Sequence, residues 1–366
     1  MAFTDFGSFN ALQKKIFSAK VLQMGRDGTI LFNPKQGLAS KSTNSCIQLI
    51  TELTKTERGD KVIMPLVNDL VSDGVAGDND QDGHEESLIA QDLEITIDML
   101  SHAVRNKGVM SEQRTVIRFR STAREKLGNW RAQKREEIGF LVLAGRSFTY
   151  KLDMTARPSS SQLPALAFAN DVTAPSANRV VFPGSVTTTA GLSAANKMSW
   201  NVLLQAKTKA KRANIKPIYH EGRETYVTMI SPEQGRDLKQ DPDYIAITKD
   251  AGSRGAKNPL FSGAIAMVDG LVIYEHNKVP TNRADTTGWG AGNDVMGAQA
   301  LLLGAQAMGV AEVGSSEWAE DKQKDYGRKP GIAYSSIMGF KKPVFEDPQT
   351  LTEEDFSVLS IFTAAA

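Results

Sequence analysis

SEQRTVIRFRSTAREKLGNWRAQKREEIGFLVLAG, residues Ser111 to Gly145, is the longest sustained helical pattern in the chain. Its apolar side chains recur at steps of three and four residues, which places them on one face of a helix. These residues are Val116, Phe119, Ala123, Leu127 and Trp130, followed by Ile138 and Leu141. Because a helix of this length exceeds what one compact layer needs, we expect it to run through the molecule as a central strut.

The two ends and the polar face of this stretch follow the rules for a helix. Ser111 suits the N-cap, Glu112 suits the first turn, and Gly145 suits the stop. The opposite face is expected to carry Arg114, Arg118, Arg124, Glu125 and Arg135. The interior Gly128 costs about 1 kcal/mol relative to alanine. The apolar stripe loses a strict heptad after Trp130, so a strut is favoured over half of a coiled coil.

The composition narrows the class of protein. With 366 residues the chain can bury a large core and form more than one lobe. Lys and Arg number 43 against 42 Asp and Glu, a formal charge of +1, which argues against a dedicated nucleic-acid binder. Cys46 is the single cysteine, so a disulfide framework is excluded and we expect a reducing compartment. The opening MAFTDFGSFN has no secretory-signal pattern.

One apolar run, MGAQALLLGAQAMGVAEV from Met296 to Val313, is almost long enough for a membrane span. However, Gln299, Gln306 and Glu312 interrupt it, and a transmembrane helix needs about twenty mostly apolar residues. We therefore expect a buried core segment and no membrane partner. Two forms stay open: a helix that packs through small residues, or two short buried strands around Gly304.

Two stretches carry few signals of regular structure. Residues 1–45 contain several glycines and only a short helical pattern, so we expect an extended arm that is ordered by lying on something else. Residues 146–190 are rich in Ser, Thr, Pro and Ala, a composition typical of a winding surface segment.

Residues 46–100 indicate two strands joined by a long loop. The strands are expected at Lys61–Leu66 and Leu93–Ile97, which are β-prone. Between them lies VSDGVAGDNDQDGHEES, residues 71–87, a polar, acidic and glycine-rich segment. A loop of this length in a compact domain is usually functional or an interaction element, so the pattern predicts a hairpin-like extension with an exposed tip.

The tip contains DNDQDG, which matches the opening of a calcium loop, D-x-D-x-D-G. The acidic residues here are Asp78, Asp80 and Asp82, with Glu85 and Glu86 just beyond. The twelfth position of such a loop should be a bidentate glutamate, but it is Ile89, and flanking helices are not evident. We therefore favour a solvated acidic loop aimed at a basic surface over a metal site.

A second helix is predicted from Ser193 to Asn214, with Met198, Val202 and Leu203 inward. Its end gathers the cations Lys207, Lys209, Lys211, Arg212 and Lys216. They could contact phosphate groups, or they could form a solvated basic C-terminus that is favourable to the helix dipole. Because no aromatic residues are interleaved with them, the second interpretation is slightly favoured.

No catalytic pattern emerges from the sequence. The phosphate loop, H-E-x-x-H and G-x-S-x-G are all missing, and GWGAG at 288–292 lacks the strand-to-helix setting of a dinucleotide site. The histidines are His84, His102, His220 and His276. They are scattered, and a surface or packing role is expected for the last two. We therefore expect no enzyme and no cofactor.

Five local strings occur in an order that belongs to one family. They are Glu85-Glu86 in the loop, ITIDMLSHAV (Ile95–Val104), NPLFSGAIAMVDGLVIYEHNKVP (Asn258–Pro280), LLLGAQAMGVAEV (Leu301–Val313) and DYGRKPGIAYSSIMGFKKPVF (Asp325–Phe345). On these strings the chain resembles the tailed-bacteriophage major capsid proteins with the Hong Kong-97-type fold, and more closely the branch typified by coliphage N-four. The resemblance spans most of residues 60–345.

The resemblance implies an α+β fold of the Hong Kong-97 type. The implied parts are an N-terminal arm at 1–45, an extended β-hairpin loop at 46–100, a peripheral domain at 101–190 with its spine helix at 111–145, an axial domain at 191–290, and a return to the peripheral domain with C-terminal strands at 291–366. The family's crosslinking Lys–Asn pair cannot be placed on this sequence.

The implied function is self-assembly as hexamers and pentamers into an icosahedral shell around double-stranded DNA. The implied partners are other copies of the chain, a portal protein, scaffolding and decoration proteins, and DNA held by non-specific contact. The implied location is the virion, with assembly in the host cytoplasm.

Contacts between subunits are expected at the acidic tip and at the polar face of the long helix. The candidates are Asp78, Asp80, Asp82, Glu85, Glu86, Arg114, Arg118 and Arg124. The cations at 207–216 are candidates for facing DNA or another subunit.

Two other classes remain open at this point. An encapsulin-like cellular shell would share the fold and would lack packaged DNA. A soluble calcium-binding module would use the D-x-D-x-D-G loop. An enzyme is the least supported class, because no site converges.

Overall fold

The computed structural model describes most of the chain, and all structural statements concern that part. The described residues are 29–32, 38–51, 59–67, 70, 72–85, 90–108, 110, 113–114, 119–220, 222–250, 266–282, 288–321, 326, 328–346 and 352–365.

Strands and helices alternate irregularly within these residues. The strands are β1 (Ala39–Ser40), β2 (Ile47–Ile50), β3 (Lys61–Val67), β4 (Ala90–Thr96), β5 (Asp98–Arg105), β6 (Val180–Val181), β7 (Ile218–His220), β8 (Arg223–Ile230), β9 (Ala266–Val268), β10 (Leu271–Glu275), β11 (Thr281–Asn282), β12 (Gly297–Leu303), β13 (Met308–Asp321), β14 (Gly331–Lys341), β15 (Val344–Glu346), β16 (Glu353–Asp355) and β17 (Val358–Ala364). The helices are α1 (Phe119–Ala144), α2 (Trp200–Arg212), α3 (Pro232–Gln240) and α4 (Pro242–Asp250). The winding segment before α2 contains short 3₁₀ turns.

Helix α1 ends where its sequence predicts. Gly145 takes a left-handed conformation with φ of 65° and donates its N–H to the Val142 carbonyl at 3.1 Å. The Arg146 N–H then bonds to the Leu141 carbonyl at 2.9 Å, which completes a Schellman stop. A Cβ on Gly145 would lie 2.3 Å from the Thr173 carbonyl oxygen, so only glycine fits. The predicted N-cap, Ser111, lies outside the described residues.

The predicted apolar face of α1 is confirmed in its described part, and Val116 lies outside the described residues. Ala123 and Leu127 are buried against Trp318, Ile332 and Tyr334 of β13 and β14. Further along, the side chains of α1 from residue 138 to residue 144 are buried all round.

The polar-face assignment of Arg135 is wrong. Arg135 is only 1% exposed, and its guanidinium lies 3.9 Å from the centre of the Phe32 ring. Its Nη2 lies 2.8 Å from Glu312 Oε1, and the buried Arg131 approaches the same carboxylate. Arg135 lies on a buried face of α1, so its cation needs a carboxylate and an aromatic face as partners.

One sheet has five strands in the order β1-β2-β13-β14-β5. Helix α1 lies on it through β14 and β5. Strand β2 is parallel to β13, and β14 is antiparallel to both of its neighbours. Since β2 and β5 belong to this sheet, the extension expected at 46–100 is confined to the hairpin between residues 61 and 96.

A second, eight-stranded sheet follows the order β6-β17-β12-β8-β10-β9, with β11 on β12 and β7 on β8. All seven residues of β12 are buried, and the chain turns at residues 304–307 into β13. The two-strand form of the run at 296–313 is therefore correct, and the single-helix form is wrong. Of the helices described, none is long and apolar enough to cross a membrane.

This sheet changes the expected division of the chain. It takes β8 and β10 from the segment 191–290 and β12 and β17 from the segment 291–366. The expected boundary at residue 290 therefore falls inside one sheet. The reason is that β12 pairs antiparallel with β8 and continues the same buried layer.

Two helices, α2 and α3, pack on the eight-stranded sheet. The sequence locates the N-terminus of α3 but not that of α2. Helix α2 begins at Trp200 rather than near Ser193, although Val202 and Leu203 are buried as expected. Helix α3 begins with a capping box that the local sequence Ser231-Pro-Glu-Gln specifies: Ser231 Oγ accepts the Gln234 N–H at 3.3 Å, and Gln234 Oε1 accepts the Ser231 N–H at 3.0 Å.

The described part of the N-terminal arm lies on α1 of the same chain. The Ile30 N–H donates to Glu136 Oε1 at 2.7 Å. Leu31 is fully buried, and a Cβ on Gly139 would lie 3.2 Å from its Cδ1, so the arm crosses α1 at a glycine.

A buried histidine supports this crossing. The His276 ring stacks on Phe140 with centroids 5.4 Å apart, and its Nε2 lies 3.5 Å from Glu136 Oε2. Burial lowers the pKa of His276 to about 4 and raises the pKa of Glu136 above its usual range. The imidazole is therefore neutral at the pH where an exposed histidine gains its proton.

We predict that acid weakens the fold partly through His276. Between about pH 6.5 and pH 4 the unfolded chain binds a proton at this position and the folded chain does not. The free energy of unfolding therefore decreases as the pH is lowered through this range. Urea unfolding at pH 7 and pH 5 should show a smaller loss for His276→Gln than for the wild type. Glu136, present in both proteins, acts in the opposite direction.

The exposed His220→Gln is the matched control for this comparison. It should lose as much stability as the wild type. Equal losses for His276→Gln and the wild type would contradict the assignment.

Candidate interaction surfaces

The predicted hairpin is confirmed. Strands β3 and β4 pair antiparallel, from Lys61 opposite Thr96 to Val67 opposite Ala90. Side chains alternate between the two faces: Val62 and Ile95 are buried, whereas Ile63 is exposed. One face of the hairpin therefore packs on the body and the other is available to another molecule.

The base of the hairpin is seated on the five-stranded sheet at two glycines. A Cβ on Gly309 would lie 2.6 Å from Ile95 Cδ1, and a Cβ on Gly339 would lie 2.3 Å from the Thr96 carbonyl oxygen. The inner face of the hairpin joins Phe356 in a small apolar cluster. These glycines were missed in the sequence, where a lone glycine in a strand indicates only a bulge or a close approach without naming its partner.

The tip is exposed throughout residues 72–74 and 76–85. It turns through Gly74, Gly77 and Gly83, each with φ between 70° and 85°. The carboxylates of Asp78, Asp80 and Asp82 make no hydrogen bond within the described part of the chain.

The acidic tip is not organised as a cation site in the described residues. Glu85 Oε2 accepts the Gly83 N–H at 3.4 Å, and Glu86 lies outside the description. Within the described ranges no group of three or more His, Cys, Asp or Glu side chains could hold a metal ion. The tip therefore presents exposed carboxylates that can pair with a cationic surface on another molecule.

The three arginines predicted on the polar face of the long helix differ in exposure. Arg114 is exposed, Arg124 is half-buried, and Arg118 lies outside the described residues. Between them, Arg120 Nη2 already binds Glu320 Oε2 of β13 at 2.5 Å. Of the two candidates that the structure describes, Arg114 therefore has the more accessible side chain.

The basic patch of α2 is largely engaged within the chain. Lys207 Nζ lies 2.6 Å from Asp269 Oδ2. Lys209 Nζ donates to the Val180 carbonyl at 2.6 Å, and burial lowers the pKa of Lys209. These two lysines tie α2 to neighbouring loops and strands.

Of the remaining cations of the patch, Lys211 and Arg212 are exposed, whereas Lys216 is half-buried. Lys211 Nζ bonds to Glu224 Oε2 at 2.9 Å, and this hydrogen bond raises the pKa of Lys211. Lys216 lies 5.9 Å from the Phe356 ring, and Arg212 is exposed. The row of cations in the sequence is thus not a continuous open surface.

An apolar strip on the outer face of the five-stranded sheet was not predicted. Met99 of β5 and Ile337 of β14 are direct cross-strand neighbours, 58% and 40% exposed. They lie beside the hairpin base. Side chains of this kind on one face favour contact with another protein surface.

The histidines do not converge on a reactive site. His84 and His220 are exposed, and His102 stacks on Trp130 with centroids 4.6 Å apart. His276 is buried against α1. The described surface therefore offers contacts for other chains rather than a cluster for chemistry.

Comparison with known proteins agrees with this picture. A family model described as phage capsid protein matches residues 6–366. The major capsid protein of Pseudomonas phage KPP25 is 38% identical over 379 residues, which cover 99% of this chain and 98% of that protein.

Solved structures give the same answer for the fold. The capsid of Ralstonia phage GP4 matches with a TM-score of 0.75 and 30% identity, over 90% of each chain. The cyanophage Pam1 capsid matches with a TM-score of 0.69 and 20% identity, over 100% of this chain and 96% of that one, which supports the fold alone. The chain therefore belongs to the phage capsid protein family and is a major capsid protein, a structural component of the virion shell and not an enzyme.

Proposed function

We propose that many copies of this chain form hexamers and pentamers that close into an icosahedral shell around double-stranded DNA. The observation that carries the proposal is the hairpin: its base is seated on the body, and the exposed carboxylates of Asp78, Asp80 and Asp82 at its tip make no hydrogen bond within the described part of their own chain. Such an element gains its contacts only from another molecule. Repetition of one modest contact over many copies gives a stable closed assembly.

In finer terms, the fold is of the Hong Kong-97 type, in the branch typified by coliphage N-four. Helix α1 with the five-stranded sheet is the peripheral domain, and the eight-stranded sheet with α2 to α4 is the axial domain. Residues 1–45 are the N-terminal arm, and residues 61–96 are the extended loop. The confirmed hairpin and the long helix on a sheet support these assignments.

The contact between neighbours is electrostatic at its tip and apolar at its base. The carboxylates of Asp78, Asp80 and Asp82 meet basic side chains of an adjacent copy, with Arg114 a candidate among them. Opposite charges fix the register of the contact more than its strength, because exposed pairs contribute little each. Met99 and Ile337 supply apolar area beside the hairpin base.

Further partners follow from the role of a shell. These are a portal protein, scaffolding and decoration proteins, and packaged DNA in non-specific contact, with assembly in the host cytoplasm. Arg212, an exposed cation of the α2 patch, is a candidate for contact with DNA.

We predict that changing Asp78, Asp80 and Asp82 together to Lys impairs shell formation and leaves the fold intact. The three carboxylates are exposed and bond to nothing in the described chain, so their reversal removes only the attraction to a neighbour. Electron microscopy counts closed shells, and circular dichroism with thermal unfolding reports the fold.

A matched reversal of Glu125, Asp243 and Asp294, which are exposed elsewhere, separates this effect from bulk charge. The control should assemble better than the tip variant. A normal yield of closed shells from the tip variant would contradict the proposed contact.

We also predict that Gly339→Ala displaces the hairpin base. The new Cβ would meet the Thr96 carbonyl oxygen at 2.3 Å, so the hairpin must move away from β14. Overpacking of this kind costs about 1–3 kcal/mol, which urea unfolding would measure. The shell yield should fall as well, because the tip no longer points at its neighbour.

Gly108→Ala serves as the comparison, since its Cβ would meet only the Arg328 carbonyl oxygen, at 3.9 Å. It should leave stability and yield near the wild-type values. Wild-type stability for Gly339→Ala would show that the hairpin base is not seated as described.

A further inference from the structure

One end of the five-stranded sheet carries a group of exposed cations. Strand β5 ends at Arg105, and the N–H of the next residue, Asn106, bonds to the Pro330 carbonyl at 3.0 Å. This bond brings two segments of the chain together, and a Cβ on Gly108 would lie 3.9 Å from the Arg328 carbonyl oxygen. We call this surface the basic end. Its exposed cations are Arg105, Lys107, Arg328 and Lys329.

The basic end has an excess of positive charge in a chain whose formal charge is only +1. Arg105 Nη2 is paired with Asp321 Oδ2 at 2.8 Å, and the other three cations add to the positive charge. The exposed Arg114 belongs to the same region, because its N–H bonds to the carbonyl of the nearby Met110 at 3.3 Å. The surface therefore favours an acidic partner.

The edge of the sheet beside the basic end is open. Strand β5 is the last strand of the sheet and pairs antiparallel with β14. Because the Asn106 N–H bonds to the Pro330 carbonyl, the even-numbered residues of β5 bond to β14 and the odd-numbered ones direct their backbone groups outward. Outward and exposed are Ser101, Ala103 and Arg105. Such an edge is a template for a segment of another chain.

The acidic tip of the same chain is remote from its basic end. Gly339, where the hairpin base is seated, lies eight residues along β14 from Gly331, which pairs with Arg105. This separation is about 26 Å of strand. The hairpin also packs with Phe345, which follows the end of β14 that lies away from the basic end. Among the described residues no ion pair joins the tip to the basic end.

We propose that the acidic tip of one copy docks on the basic end of a neighbouring copy. The carboxylates of Asp78, Asp80 and Asp82 face Lys107 and Lys329 of the neighbour, beside the open edge of β5. The proposal rests on the hairpin contact of the proposed function and adds the surface on which the tip lands. Because the two patches differ, the contact is head-to-tail, and such contacts repeated around an axis close into rings.

The tip fits this surface better than DNA, the other acidic component of a filled shell. The open edge of β5 presents both N–H and C=O groups, so a full partner needs donors as well as acceptors. A protein loop supplies both, whereas duplex phosphates only accept. Each copy also carries one tip and one basic end, so the two surfaces match in number.

The first test reverses the charge of the basic end with Lys107→Glu and Lys329→Glu together. This basic-end variant should lower the yield of closed shells by more than about tenfold, because like charges then face each other at every repeated contact. Combining it with the reversal of Asp78, Asp80 and Asp82 to Lys should restore the yield. The matched control, Lys151→Glu with Lys197→Glu, changes exposed cations elsewhere and should assemble normally. Thermal unfolding reports the fold of each variant.

The outcomes separate this inference from the proposed function. Normal shells from the basic-end variant, with impaired shells from the tip variant, would overturn the docking surface and leave the hairpin contact standing. Normal shells that retain less DNA would assign the basic end to DNA instead. A combined variant that stays impaired would also overturn the inference, and normal shells from both single variants would overturn the hairpin contact as well.

A disulfide test is independent of charge and of the yield. The native Cys46 is buried, so Asp80→Cys with Lys107→Cys introduces the reactive thiols. Oxidised shells of this variant should give a ladder of covalent oligomers up to the hexamer on a non-reducing gel, because each copy is linked to the next. Asp80→Cys with the exposed Asp243→Cys should give dimers at most. A disulfide within single copies, or the same pattern from both variants, would contradict the proposal.

Discussion

The enclosure of the second half of α1 between the two sheets is the constraint on which the rest of the structure depends. Ile138, Phe140 and Leu143 share one core with Met308 and Phe340 of the five-stranded sheet and with strands of the eight-stranded sheet. Burial of each large apolar side chain contributes about 1.5–3 kcal/mol to the stability of the fold. The helix therefore joins the two sheets through one shared apolar core. At its end, Gln299 Nε2 donates to the Ala144 carbonyl at 2.9 Å, which ties α1 to β12.

The packed core of α1 and the two sheets is a firm support for the hairpin that projects from it. The hairpin base packs closely on the sheet, with the Ile95 side chain against Gly309 and the Thr96 backbone against Gly339, so its direction follows that of the sheet. Its tip, in contrast, is exposed, glycine-rich and acidic. A fixed base with an open tip suits a subunit that must make the same contact with each neighbour, because a fixed direction lowers the entropic cost of every repeated contact.

Features governed by local signals could be predicted from the sequence. Gly145 stops α1 and Ser231 caps α3, because both act within one turn of chain. The burial of Arg135 could not be foreseen, since its partners Glu312 and Phe32 are remote in sequence. The same holds for the joining of strands on both sides of residue 290 into one sheet, and for the run at 296–313, whose continuous apolar pattern does not separate a buried strand from a helix. For the candidate site, the acidic tip could be found from composition, whereas the seating glycines and the basic end of the five-stranded sheet depend on tertiary contacts.

The most direct test of the central claim is a cryo-electron microscopy reconstruction of assembled shells at a resolution that shows side chains. The hairpin tip should lie on an adjacent subunit, with the carboxylates of residues 78–82 facing basic side chains there. A tip that folds back on its own chain, or that projects into solvent with no neighbour in reach, would contradict the claim that this hairpin joins the subunits of the shell.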